Sequence, residues 1–231
     1  SHYLFDAVRG VGKQIKSNAN NAEATNTNNL YAFDSDGFSL GQSAVDSVTN
    51  GASTTFVAWN WKAGNATLGT GDFTQGNIAS TCSRNVDAGF SIVSYEGTGA
   101  VATVGHGLSS APEFITVKNR ESAKEWMTYT YTTSNTDRLL LNTTGATAAD
   151  SGAWNNTSPS ASLFTIGNGV QTNADNNDYI AYCFHSVEGY SKVGSYTGNT
   201  NADGAFVYTG FRPAYILIKN IDSAEPWVIQ D

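Results

Sequence analysis

The chain has 231 residues, of which 40% are hydrophobic and only 14% charged, with a formal net charge of -8 and a pI near 4.7. That balance excludes a basic nucleic-acid-binding face, and no stretch approaches the ~18 continuous apolar residues of a membrane-spanning helix. The length suits one or two domains, and Asn, Thr, Ser and Gly take the place of charge, the mix of secreted or virion β-proteins.

In chain order, Asp6–Lys16 (DAVRGVGKQIK) is the nearest helix candidate, and Gly10 and Gly12 weaken it. Asp34-Ser35-Asp36-Gly37 reads as an Asx-type turn. FVAWNWK, from Phe56, alternates so that Val57, Trp59 and Trp61 share one face. Two tryptophans on one face predict a core strand. Lys62–Ala88 is Gly/Thr/Asn-rich and reads as a linker-like insertion, with Cys82 inside it. Runs rich in Val, Ile, Thr and aromatics then predict strands at Phe90–Tyr95, Glu113–Lys118, Trp126–Tyr131, Arg138–Asn142, Ser162–Ile166 and Asp178–His185. Gly-rich and Asn-rich turns separate them. The fold class is all-β, an antiparallel β-sandwich.

A segment occurs twice. GFSIVSYEGTG and APEFITVKNRESAKEW, ending at Trp126, match GYSKVGSYTGN and RPAYILIKNIDSAEPW, ending at Trp227. KQIKSN ending at Asn18 pairs with DRLLLN ending at Asn142, FSLG ending at Gly41 with FTIG ending at Gly167, and FVAWNWKAG with YIAYCFHSV. The period of roughly 100 residues is that of a small domain rather than of a solenoid repeat. The expected organisation is tandem copies: 1–88, a first unit lacking its opening strands and carrying the insertion at 62–88; 89–188, a second unit; and 189–231, the opening strands of a third. The chain then reads as a piece of a longer protein or as a strand-exchanging subunit. Trp126 and Trp227, recurring after a polar turn, read as structural.

These long motifs, with SHYLFDAVRG, DSDGFSLG and LLLNTTGA, resemble a domain of unknown function that recurs in tailed bacteriophages, marine ones especially. The resemblance implies a lectin-like jelly-roll sandwich and a place in tail fibres, appendages or other virion structural proteins. It supplies no catalytic residues. The expected function is a virion structural and adhesion module, located on the virion or outside the cell. Its expected partners are other virion proteins, further copies of itself in a homo-oligomer, and host surface glycans, with no nucleic acid and no membrane insertion. A capsid-decorating or extracellular filament subunit is the alternative; a polysaccharide-degrading enzyme is a weaker third.

The chemistry-bearing residues agree with a non-enzyme. The sequence has no Gly-x-Ser-x-Gly elbow, His-Glu-x-x-His or Cys-x-x-Cys. Glycoside hydrolysis needs two carboxylates across a cleft, and no Glu-x-Asp or Asp-x-Glu pair lies in an apolar strand. His106 and His185 read as surface or turn residues, and Cys183 as a small core residue. For carbohydrate binding the candidates are Trp154, set in a polar stretch, and Asn173, Asp175 and Asn177 in the loop that follows. No cofactor is expected. Calcium, held by Asp34 and Asp36, is the one metal alternative, because lectin-like sandwiches bind hard cations through loop carboxylates.

Overall fold

The computed structural model describes residues 2–41 and 48–231. It is mostly β, with one seven-stranded antiparallel sheet and several small sheets. The large sheet runs in the order β12 (Ala148–Ala149), β11 (Asp137–Leu140), β10 (Met127–Thr130), β9 (Phe114–Asn119), β14 (Asp178–Phe184), β7 (Phe90–Glu96) and β6 (Ser80–Asn85). The predicted strands fall on β7, β9, β10, β11 and β14, and on the strand Leu163–Ile166 of a smaller sheet, to within a residue or two. β12 and β6 are not among them, and β6 is the larger departure. It lies in the stretch expected to be a linker-like insertion, yet it pairs with β7 from Ser80↔Tyr95 to Asn85↔Phe90 and buries Cys82 completely.

The central strand β14 is hydrogen-bonded on both edges, to β7 and to β9. Successive side chains of a strand point to opposite faces. Tyr179, Ala181 and Cys183 therefore enter one core, with Val93, Tyr95, Ile115, Val117 and Met127. Ile180 and Tyr182 enter a second core on the other face. The first core is covered by the ribbon of β8 (Ala102–Gly105) with β13 (Leu163–Ile166), and by the one-turn helices α1 (Ser151–Trp154) and α2 (Val170–Asn173). The second is covered by the N-terminal segment through Leu4, Val8 and Ile15. Burial on both faces explains why β14 reads YIAYC, apolar throughout rather than alternating.

The N-terminal segment is not helical. After turns at residues 7–12 it forms β2 (Lys13–Lys16), which pairs with β1 (Tyr3–Leu4) and β3 (Ala24–Thr25). Gly10 and Gly12 have φ of +89° and +72°, outside the helical region. The hairpin of β4 (Leu30–Phe33) with β5 (Phe38–Leu40) follows, and the hairpin of β15 (Ile216–Ile218) with β16 (Val228–Gln230) closes the chain.

Candidate interaction surface

Two features stand out. The first is a polar clamp. Arg9 is buried and donates to Leu4 O (3.0 Å) and Lys13 O (3.1 Å), pinning the turn between β1 and β2. Its guanidinium also pairs with Asp6 and, at 3.3 Å, with Glu23. Tyr182 on β14 donates to Asp6 Oδ2 at 2.7 Å. Glu23 in turn accepts from Arg120 Nε and Nη2, each at 3.0 Å. Burial opposes the charge on Arg9, but Tyr182, Asp6 and Glu23 outweigh it and hold the guanidinium's pKa above its ordinary value. Burial likewise opposes the charge on Glu23, and the hydrogen bonds and charges of Arg120 and Arg9 outweigh it, so its pKa lies below the usual range. Burial raises the Tyr182 phenol.

The second feature is aromatic and open. Phe56, Val57, Trp59 and Trp61 are all exposed, Trp59 at 39% and Trp61 at 48%. This corrects the expectation of a core strand. Residues 55–62 form no strand, so the alternating faces have no sheet to pack on. The rings instead meet Tyr215 edge-to-face, with centroids 5.8 Å (Trp59) and 5.7 Å (Trp61) away. Trp59 Nε1 donates to Asp231 Oδ2 at 3.0 Å. Beside them lies a groove of about 440 Å³ lined by His2, Val57, Trp59, Trp227, Ile229 and Asp231.

The residues singled out for sugar contact lie elsewhere. Trp154 is 1% exposed and sits edge-to-face with Tyr129 inside the first core. Its polar neighbours misled: Asp150 caps α1 by accepting from Gly152 N, and Asn155 and Asn156 adopt left-handed φ of 50°, so the turn drives the ring inward. Asn173 is fully buried. Its Nδ2 donates to Ala100 O and Gly167 O, and its Oδ1 accepts from Thr98 N, so every polar atom is committed to holding loops together. Asn177 reaches Asn119 and Ser122, and Asp175 is exposed on the same loop. These four do not converge on one solvent-facing site. Asp34 and Asp36 are exposed at the β4–β5 turn, where Asp34 accepts from Ser39 Oγ at 2.7 Å. Among the described residues no three His, Cys, Asp or Glu side chains are grouped to hold a metal.

Neither buried histidine is at the surface. His106 is fully buried at the end of β8, with Nε2 3.1 Å from Ser160 O and Nδ1 accepting from Leu108 N. His185 is 8% exposed. Burial, with a smaller contribution from His185, pulls the His106 pKa down to about 4 against the Ser160 carbonyl, which favours the cation. The folded-state pKa lies below the unfolded one, so this histidine's contribution is complete above about pH 6.5 and is lost as pH falls through about 4. Denaturant titrations at pH 7 and pH 4 should differ by roughly 3 kcal/mol from this group alone. His106→Asn should flatten that part of the profile; an unchanged profile would show that the imidazole does not enter the fold neutral.

Together these features define a β-rich protein with a buried polar clamp and an open aromatic groove. The chain belongs to the family described as "Domain of unknown function (DUF7483)", whose model matches residues 1–231 as one domain. No curated protein and no solved structure matches it.

Proposed function

We propose that this chain is a non-enzymatic structural and adhesion module of a bacteriophage virion, of the tail-fibre or appendage type, that meets the host surface through its open aromatic face. In this reading the fold is a lectin-like jelly-roll sandwich, with the β8–β13 ribbon and its helices as the second layer. Its partners are neighbouring virion proteins, copies of itself and host surface glycans, and it works on the virion or outside the cell. The observation that carries the reading is the exposed row of Phe56, Val57, Trp59 and Trp61 beside Tyr215 and Trp227. Contiguous exposed apolar surface marks a contact site, and aromatic rings pair an apolar face with a polar edge, as sugar rings require of a partner. The groove offers one carboxylate, Asp231, and one imidazole, His2, whereas glycoside hydrolysis uses two carboxylates. Weak single contacts repeated on a particle would be raised by avidity.

A glycan array and whole-cell binding, each run with the chain displayed multivalently, test this. The double variant Trp59→Ala/Trp61→Ala should bind at least about tenfold more weakly, the equivalent of ~1.4 kcal/mol. Binding that the double variant leaves untouched, or no binding to any glycan or cell, would remove the adhesion reading. Self-association without glycan binding would favour the capsid-decorating or filament alternative, to which the same apolar face also lends itself.

A further inference from the structure

Two strand meanders share one register. β1–β2–β3 pairs as Tyr3↔Lys16, Leu4↔Ile15, Lys13↔Thr25 and Gln14↔Ala24; β10–β11–β12 pairs as Met127↔Leu140, Thr128↔Leu139, Asp137↔Ala149 and Arg138↔Ala148. One constant displacement carries every residue of the first set onto the second, so Lys16 corresponds to Leu140 and Glu23 to Thr147. The turn after β9 matches the turn after β15 in the same way. Lys118 Nζ donates to Asn119 O (2.6 Å) and Ser122 O (3.1 Å); Lys219 Nζ donates to Asn220 O (2.6 Å) and Ser223 O (3.4 Å). Asn119 Oδ1 accepts from the amides of Glu121 and Ser122, and Asn220 Oδ1 from those of Asp222 and Ser223. Arg120 then corresponds to Ile221 and Trp126 to Trp227.

Each turn docks on a meander through the same two bonds. Trp126 Nε1 donates to Lys16 O at 2.8 Å, and Arg120 O accepts from Glu23 N at 2.7 Å. Trp227 Nε1 donates to Leu140 O at 2.9 Å, and Ile221 O accepts from Thr147 N at 3.0 Å. The direction is also the same, since each turn seats on the meander that precedes it in the chain. Such a joint is head-to-tail, with turn and meander as its unlike halves. Both bonds join a tryptophan common to the two turns, or the backbone, to backbone groups, so neither bond tells one meander from the other. Two turns and two meanders of one build therefore admit crossed pairings, a characteristic misassembly of repeated elements.

What differs is the side-chain pair beside the bond. In the first joint Arg120 Nε and Nη2 grip Glu23 at 3.0 Å each, and the two side chains are only 16% and 10% exposed. In the second joint the same positions hold Ile221 and Thr147, both half-buried, and the Thr147 hydroxyl donates to Ile221 O at 2.9 Å. A crossed joint would set Arg120 against Thr147, where no carboxylate stands. The other crossed joint would set Ile221 against Glu23, which would keep Arg9 and Lys13 but lose its two-armed partner. Stripping one member from a desolvated ion pair is costly, and selectivity arises from such penalties against the wrong partner as much as from the right contact.

We infer that the turns after β9 and β15 are docking elements for a β-meander of this build, and that the pairs 120/23 and 221/147 assign each turn to its own meander. An ion pair marks the first joint and a neutral pair the second. The partner such a turn fits is a three-stranded meander that offers the carbonyl of the Lys16 or Leu140 position and a matching side chain at the Glu23 or Thr147 position. The inference goes beyond the adhesion reading, since neither glycans nor a virion enters it.

Hydrogen exchange on the full-length chain reads each joint at its own amide, that of residue 23 for the first and residue 147 for the second. Arg120→Ile should lower protection at residue 23 at least about tenfold and leave residue 147 unchanged. Arg120 also lies 3.4 Å from Ser94 Oγ and from Asp178 Oδ2, so rescue assigns the loss. Adding Glu23→Thr gives the first joint the pair of the second and should return residue 23 to within about threefold of wild type. Full protection in the single variant, no recovery in the double, or residue 147 moving with residue 23 would each overturn the inference. Should the double variant fail to fold, the more exposed second joint decides. Ile221→Arg should lower protection at residue 147, and Thr147→Glu added to it should restore it; no recovery there overturns the assignment.

Discussion

Replacing Trp126 by alanine should destabilise the protein by about 3–5 kcal/mol, the cost of deleting a large ring from a packed core. The side chain is fully buried, stacks on Tyr182 with centroids 6.2 Å apart, and lies among Ile15, Phe90, Ile92 and Ile180. Its indole also satisfies the Lys16 carbonyl. The residue thus joins the sheet to the segment that covers it, and its loss both opens a cavity and strands an acceptor. Trp126→Phe keeps most of the packing and removes the hydrogen bond, so its cost should fall toward ~1 kcal/mol plus the smaller cavity. Trp227→Ala removes a half-buried ring making the corresponding bond and should cost only roughly 1–2 kcal/mol. Equilibrium denaturation of the three variants orders them; equal costs for the alanine variants would mean that the covering segment adds nothing at Trp126.

Arg9→Met should cost about 3–5 kcal/mol, because it leaves buried carboxylates without their cation. Asp6 would keep the Tyr182 hydroxyl and the Val8 and Arg9 amides. Glu23 would keep Arg120. Leu4 O and Lys13 O would lose their donor, so the turn between β1 and β2 should loosen first. The double variant Arg9→Met/Asp6→Leu removes both members of the closest pair and should recover much of the loss, since an apolar pair of similar volume can match a buried ion pair. A double variant as unstable as the single one would assign the cost to the backbone carbonyls. The pH dependence has a defined sign. Glu23 has a lowered folded-state pKa, so the stability it contributes is present above its unfolded value near 4.5 and is lost as pH falls through the lower folded value. Wild type should therefore lose clamp stability with acid more steeply than Glu23→Gln.

Local pattern reported the strands well because β-branched and aromatic runs between Gly and Asn turns have few other ways to bury themselves. β7, β9, β10, β11, β13 and β14 are all legible this way. β6 was hidden by the small polar residues of STCSRN, which form a strand because the edge of β7 lies beside them. The clamp of Asp6, Arg9, Glu23, Arg120 and Tyr182 had no local signal either, since its members are brought together from β1, β3, β9 and β14 surroundings by the fold. Trp154 and Trp59 show the same limit from opposite sides. A ring among polar neighbours is buried, and a ring in an apolar alternating run is exposed.

The order of residues alone determined that this is a β-rich chain, weakly charged, with matched segments that keep Trp126 and Trp227 in equivalent turns, because propensity, periodicity and self-similarity are properties of the string itself. Which copy of each matched strand became core was decided only in three dimensions. β14 has β7 and β9 on its two edges and cores on both faces, whereas residues 56–62 meet Tyr215 and solvent. Burial depends on what lies across a surface, and that neighbour comes from distant parts of the chain.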